Sequence, residues 1–260
     1  MRHVPRKRFG QNFLVDRSVI ARIVEAIDPQ PTDYLVEIGP GLGALTGPLL
    51  ERVPQLHVVE LDRDLAARLR ASYPPERLTV HEGDALRFDF SMLAARMRIL
   101  GNLPYNISTP LLFHMVTYAE RFTDLHFMLQ REVVERMVAA PSTPGYGRLS
   151  VMLQYRFRMQ HLFSVPSSAF RPVPKVASAV VRLLPLLQPD VAAHDESLLA
   201  GTVTRAFSHR RKTLRNALLG LVTEADLETV GIDPGLRAEN LSVAAFVAIS
   251  NRISERSGGA

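Results

Sequence analysis

Tyr34-Leu35-Val36-Glu37-Ile38 runs directly into Gly39-Pro40-Gly41-Leu42-Gly43-Ala44. The first five residues read as a short buried strand. The glycines after them permit a tight turn and let a ligand approach the backbone closely. The pattern then predicts a helix over about 45–52, whose N-terminus opens toward whatever the turn holds. Strand, Gly-rich turn and helix are the opening unit of a wound α/β sheet.

Working outward, the same alternation continues. A helix over 17–27 is predicted behind Asp16, a suitable N-cap. Strands are predicted at 56–61, 78–81, 99–100 and 125–129. Helices are predicted at 64–73, 108–119 (capped by Ser108 or Thr109) and 131–138. Alternation of this kind implies a parallel sheet with helices on both faces. After a predicted helix at 149–157, strands at 162–165 and 178–184 have no clear helix between them, which suits an antiparallel edge. The stretch 186–194, with Pro189, reads as a linker. Helices at 196–207, 212–221, 224–230 and 242–256 follow without a strand signal. The fold class is therefore α/β, a Rossmann-like sheet over 1–187 with a small all-α C-terminal domain over 188–260.

Composition narrows the function. Lys+Arg number 31 against 26 Asp+Glu, a net charge of +5, and there is no cysteine. Disulfides, thiol nucleophiles and thiolate metal sites are excluded, and the histidines show no ligand spacing, so no metal is expected. No apolar run reaches the ~18–20 residues that span a bilayer. The basic N-terminus has no apolar stretch of a signal peptide. The expectation is a cytoplasmic protein, monomeric for want of a long exposed apolar stripe.

The basic residues cluster. No carboxylate falls between Glu135 and Asp190, a stretch holding Arg171 and Lys175. A second acid-free stretch, 197–223, holds Arg210, Arg211, Lys212 and Arg215. A third opens the chain with Arg6, Lys7 and Arg8. Three such segments converging on one face would bind a polyanion.

The chemistry sits at predicted strand ends. Gly39, Gly41 and Ala44 satisfy the G-x-G-x-x-G/A pattern, and Glu60 ends the next strand, where a carboxylate would hold a ribose diol. That much suits a nicotinamide enzyme or an S-adenosylmethionine enzyme equally. Pro40, with no N–H to offer a pyrophosphate, and Glu37, which would repel one, tilt the choice toward the sulfonium cofactor. Asp84, after the third strand, is placed to accept from the adenine amine.

The fourth strand ends in Asn102-Leu103-Pro104-Tyr105. The amine of adenine is a poor nucleophile because its lone pair is delocalised. The Asn102 amide oxygen and the Leu103 carbonyl can accept its two hydrogens and favour a pyramidal nitrogen. Pro104 stiffens the turn, and Tyr105 offers a ring for the base to stack on. Positioning then carries the catalysis, without a strong base. The target adenine must be unpaired or flipped out.

At these residues the chain resembles the ribosomal RNA adenine dimethyltransferases. The resemblance runs from about Lys7 to Leu219. It takes in Phe9–Leu14, the Gly39–Gly43 turn, Glu60, Gly83-Asp84, Asn102–Tyr105, Phe170–Val176 and Arg210–Asn216. It implies that Asn12 and Leu14 contact the cofactor, that Asn102 touches cofactor and base, and that Tyr105 and Phe170 sandwich the flipped adenine. It implies four methyl groups placed on two adjacent adenosines in a hairpin loop of small-subunit rRNA, in an assembling particle. The helical module would help bind that RNA. The Arg210–Asn216 segment resembles the small-subunit branch rather than relatives acting on large-subunit RNA. One position departs: Ala177 stands where the family has Asp before Ser. Two other readings are a non-catalytic assembly factor that keeps the pocket and a nicotinamide oxidoreductase.

Overall fold

The structure is a computed structural model that describes residues 11–186 and 191–258. Arg6, Lys7, Arg8 and residues 187–190 of the Pro189 linker lie outside the described residues. The chain forms two compact units, one of residues up to Val134 with Arg158–Pro185, the other of Glu135–Phe157 with residues from Leu186 onward.

The first unit is built on a seven-stranded sheet. In chain order its strands are β2 (Leu35–Ile38), β3 (Leu56–Glu60), β4 (Leu78–Glu82), β5 (Met97–Asn102), β6 (Phe122–Gln130), β7 (Phe157–Val165) and β9 (Ser178–Pro185). The spatial order is β4-β3-β2-β5-β6-β9-β7. Strands β4 through β6 are parallel, and β9 adds antiparallel to β6, as the missing helix between the last strands predicted. Flanking helices are α1 (Arg17–Ile27), α2 (Thr46–Leu50), α3 (Arg63–Ser72) and α4 (Ser108–Val116), and α5 (Arg131–Met137) follows β6. The chain winds outward from β2 to β4, then returns to β5. Between β2 and β5 the winding reverses, and a crevice opens at the strands' carboxyl ends. A separate pair, β1 (Phe13–Leu14) with β8 (Phe170–Arg171), is antiparallel.

Local chemistry explains the helix ends. Asp16 accepts from the backbone of Ser18 and Val19, satisfying donors that α1 leaves orphaned. The far end of α1 is closed by Arg98 on β5, whose guanidinium donates to the carbonyls of Ile27 (2.5 Å) and Asp28 (3.2 Å) while paired with Asp124 and Asp33. That clamp fixes the helix leading directly from Asn12–Leu14. Neither Ser108 nor Thr109 caps α4. Ser108 is already helical, and its hydroxyl donates back to the Pro104 carbonyl at 3.1 Å.

In the second unit α6 (Arg148–Arg156), α7 (Glu196–Ser208) and α10 (Val243–Gly258) pack together, with Leu153, Leu199, Val203 and Phe246 buried. This unit takes in 135–157, which the sequence-based boundary at 187/188 leaves with the sheet. The reason is that α6 buries its apolar side against α7 and α10. The helix predicted at 212–221 shortens to α8 (Leu214–Ala217). Backbone pairing intervenes, with Thr213 bridging to Arg237 and Leu214 N–H donating to Leu236, and Gly220 then turns the chain at φ +81°. A short α9 (Glu224–Thr229) precedes α10.

Candidate active site

A cavity of about 310 Å³ lies in the crevice where the sheet reverses. Its lining residues come from the ends of β2, β3, β4 and β5 and from the segment around β1. Asn12, Leu14, Gly39, Gly41, Glu60, Asp84, Asn102, Leu103, Pro104 and Tyr105 all line it, so ten residues picked from sequence share one concavity.

The turn after β2 needs its glycines. Gly39, Gly41 and Gly43 have φ of +66°, +59° and +84°, a region costly for residues with a Cβ. A Cβ on Gly41 would also meet the Phe13 ring at 3.2 Å, so this turn seats the strand that crosses it. Sequence reasoning missed Gly101. A Cβ there would stand 2.5 Å from the Ile38 carbonyl, so only glycine lets β5 come this close to the end of β2. Its signal was a glycine inside an apolar strand.

Glu60 is buried, and its two carboxylate oxygens accept from the backbone N–H of Gly41 (3.1 Å) and Asp62 (2.8 Å). Burial pushes its carboxyl up, against those two hydrogen bonds. Each oxygen has a second lone pair, so capacity remains for two ligand hydroxyls. Asp84 uses one oxygen to accept from Leu86 N–H at 2.9 Å. Glu37 is 2% exposed and accepts from the Thr46 hydroxyl at 2.7 Å. Burial, opposed by that bond and reinforced by the Glu60 charge, pushes it up to about 7.

On the other wall, Asn102 Nδ2 donates to the Asn12 carbonyl at 3.3 Å. That bond engages one N–H of the amide and turns its oxygen into a group available to an incoming amine. The Leu103 N–H is held by the Met128 carbonyl at 3.1 Å, and the Ile107 N–H closes the turn on the Pro104 carbonyl. The Tyr105 hydroxyl lies 2.7 Å from Ser178 Oγ, a partner that sequence reasoning missed.

Phe170 is not brought into the cavity. It is fully buried, in the apolar cluster that also holds Leu14 and Val165, with its Cα registered against Leu14. In this conformation it offers no face to a base. The basic residues are spread. Lys175 is exposed in the segment between β8 and β9. In the second unit Arg210 is tied to Glu239 (3.0 Å) and to the Pro144 carbonyl, Arg215 lies 3.6 Å from Glu224, and Arg211 and Lys212 are exposed.

The lining discriminates between cofactors. Among the described residues it holds three carboxylates, Glu37, Glu60 and Asp84, and no Lys, Arg or His. A pyrophosphate would meet repulsion there, whereas a sulfonium cation with an attached adenosine would meet complementary charge. The apolar side chains of Leu42 and Leu61, both partly exposed, complete a surface for a purine. Sheet order, turn and acidic strand ends together define an S-adenosylmethionine-dependent methyltransferase.

Within that class the assignment is specific. The chain belongs to the ribosomal RNA adenine dimethylase family, whose sequence model matches residues 2–255. It is 60% identical over 256 residues to "Ribosomal RNA small subunit methyltransferase A" of Chromobacterium violaceum, covering 98% of both chains. It is 62% identical to the protein of the same name from Aromatoleum aromaticum, covering 98% of this chain and 96% of that one. Among solved structures, the 23S rRNA methyltransferase ErmE is similar with a TM-score of 0.70 at 27% identity, over 94% of this chain and 100% of that one. A dimethyladenosine transferase from Plasmodium falciparum shares the fold, with a TM-score of 0.78 at 24% identity over 91% and 95% of the two chains. The chain is thus an rRNA adenine dimethyltransferase that takes its methyl groups from S-adenosylmethionine. No group of three or more potential metal ligands occurs among the described residues, and no described helix is long and apolar enough to cross a membrane.

Proposed function

We propose that the protein dimethylates two adjacent adenosines in a hairpin loop near the 3′ end of small-subunit rRNA, during assembly of the subunit. The names carried by relatives at about 60% identity support the choice of subunit. The observation that carries the chemistry is the hydrogen bond from Asn102 Nδ2 to the Asn12 carbonyl, because it orients the amide as an acceptor.

S-adenosylmethionine supplies an electrophilic methyl carbon on a sulfonium. Glu60 holds the ribose hydroxyls, Asp84 the adenine amine, Asn12 and Leu14 close over the turn, and Gly39 and Gly41 allow the backbone to approach. The Asn102 oxygen and the Leu103 carbonyl accept the two hydrogens of the target amine, and Pro104 holds that geometry rigid. Tyr105 stacks on the base. With the cofactor bound, these residues would hold the amine lone pair in line with the electrophilic methyl carbon, the departing sulfide would take the C–S electron pair, and the surplus proton would leave to water. Oriented reactants and fixed dipoles supply the rate. Phe170 reaches the base's other face only after β8 shifts away from β1.

The 188–260 region serves as the RNA-binding domain, with Arg210, Arg211, Lys212 and Arg215 meeting phosphates. Lys175 does so from the catalytic unit, and Arg6, Lys7 and Arg8 complete the set. The protein works as a monomer in the cytoplasm.

The test is incubation with labelled S-adenosylmethionine and unmethylated small-subunit particles, followed by mass spectrometry of digested rRNA. Dimethyladenosine at two neighbouring positions is expected. Tight particle binding with no methyl incorporated would overturn this reading in favour of a non-catalytic assembly factor.

A further inference from the structure

Tyr105 is held differently from the rest of its turn. Backbone hydrogen bonds fix the turn at Leu103 and Ile107, but they do not fix the plane of the Tyr105 ring, which two side-chain torsions govern. The ring's polar end meets Ser178 Oγ at 2.7 Å. Ser178 is fully buried, is the first residue of β9, and is registered against Gln130 of β6. The Arg131 N–H donates to the neighbouring Ala177 carbonyl at 3.0 Å, which fixes the backbone at this point. The phenol therefore ends on a buried residue of a paired strand. Partial burial raises its ionisation above the ordinary range, so it stays a neutral hydroxyl.

We infer that Ser178 is a positioning residue for the methyl acceptor: its hydroxyl locks the Tyr105 phenol to the start of β9 and so fixes the ring plane against which the target adenine stacks. The inference rests on the adenine dimethylation proposed above and adds a consequence to it. The unmodified amine has two hydrogens, one for Asn102 and one for Leu103. After the first transfer one hydrogen remains, so one polar contact is gone. The monomethylated base depends more heavily on stacking for its orientation. Loosening the Tyr105 ring therefore penalises the second transfer more than the first.

The experiment uses the full-length protein, unmethylated small-subunit particles and three variants: Ser178→Ala, Tyr105→Phe and the double substitution. A neutral hydrogen bond contributes a modest net amount, so each single change slows the second transfer by about 3–10-fold and the first by less than about 2-fold. Monomethyladenosine accumulates in the rRNA digest. The two partners act as one unit, so the double variant is no worse than either single one. Cofactor affinity by calorimetry stays within about 2-fold of wild type, because the hydrogen bond lies outside the cofactor contacts. Ser178→Thr, which restores a hydroxyl, recovers the wild-type product ratio. An unchanged ratio of mono- to dimethyladenosine in Ser178→Ala, or effects that multiply in the double variant, would overturn the inference. Should Ser178→Ala fail to fold, Tyr105→Phe carries the test alone, since it removes only the hydroxyl and keeps the ring. Failure of the wild type itself to transfer methyl groups would sink the functional reading instead.

Discussion

The two walls of the cavity are built differently. On the cofactor side, the contacts that place Glu60, Asp84 and Glu37 are short in sequence: Glu60 with Asp62 and Gly41, Asp84 with Leu86, Glu37 with Thr46. On the acceptor side, Asn102 is oriented by Asn12 and Tyr105 by Ser178, partners 90 and 73 residues away. The acidic strand ends of the cofactor wall are thus placed within and between neighbouring βα units, and Asn12 and Leu14 join that wall from the N-terminal segment. The acceptor wall exists only once the N-terminal segment and β9 are in place. On the proposed assignment, mostly local contacts would hold the cofactor and long-range contacts the acceptor base.

If this division is right, changes on the two walls separate binding from turnover. Asn102→Ala removes the side-chain acceptor at the reacting amine, and the methyl-transfer rate falls by about 10²–10³-fold. Cofactor affinity by calorimetry changes by less than about 10-fold, since Glu60 and Asp84 still hold the adenosine. Equal losses in affinity and turnover would erase the distinction between the walls. Glu60→Ala should show the opposite pattern. It strips the ribose of a charged acceptor and the Gly41 N–H of its partner, so cofactor affinity falls by about 10–100-fold. At saturating cofactor the transfer rate recovers most of its wild-type value. Persistent loss at saturation would mean that Glu60 acts in chemistry as well.

Legibility from sequence follows the same division. The glycine turn, Glu60, Asp84 and the tetrapeptide at Asn102 carry their meaning in spacing and strand-end position, and they line one cavity in the structure. Ser178 and Gly101 do not. Ser178 looks like any serine opening a strand, and only the tertiary fold brings its hydroxyl to Tyr105. Gly101 matters because of a strand 63 residues earlier in the chain, whose Ile38 carbonyl leaves no room for a Cβ. The shortening of the 212–221 helix has the same origin, since pairing of Thr213 and Leu214 with 236–237 overrides local helical pattern. Phe170 is the opposite case: its role comes from resemblance, and it lies buried outside the cavity.

Gly101 joins the two walls, because it lies where β5 passes the end of β2. Gly101→Ala places a methyl against backbone, which a flexible side chain cannot relieve, and overpacking of this kind costs about 1–3 kcal/mol. Urea unfolding should show that loss, and both cofactor affinity and turnover should fall together. Stability equal to wild type would mean that the strands separate freely and that the crevice is not set by their close approach.

The smallest expected effect tests why the cofactor wall carries a third acid. Glu37 is buried, and desolvation raises its carboxyl from the usual carboxylate range to about 7. Between pH 4.5 and 7 the folded protein then binds more protons at this site than the unfolded chain does. Stability therefore falls as pH rises through that window and levels off above it. His57 and His126, both held down to about 4 chiefly by burial, act in the other direction between pH 4 and 6.5, so the comparison must be with a variant rather than with wild type alone. Glu37→Gln keeps an oxygen for the Thr46 hydroxyl and removes the ionisation. It should be more stable than wild type at pH 8.5 by about 1–2 kcal/mol in urea unfolding, with the difference gone near pH 4. Affinity should move the opposite way. Wild-type affinity for S-adenosylmethionine rises as pH passes 7 and a carboxylate forms in the cavity lining, whereas affinity for the neutral sulfide product does not, and Glu37→Gln abolishes that difference. Such a result would show a stability cost kept at the floor of the cavity in exchange for preferring the charged donor over the spent one. Parallel pH dependence for donor and product in wild type would show that Glu37 does no more than brace Thr46 beneath the turn.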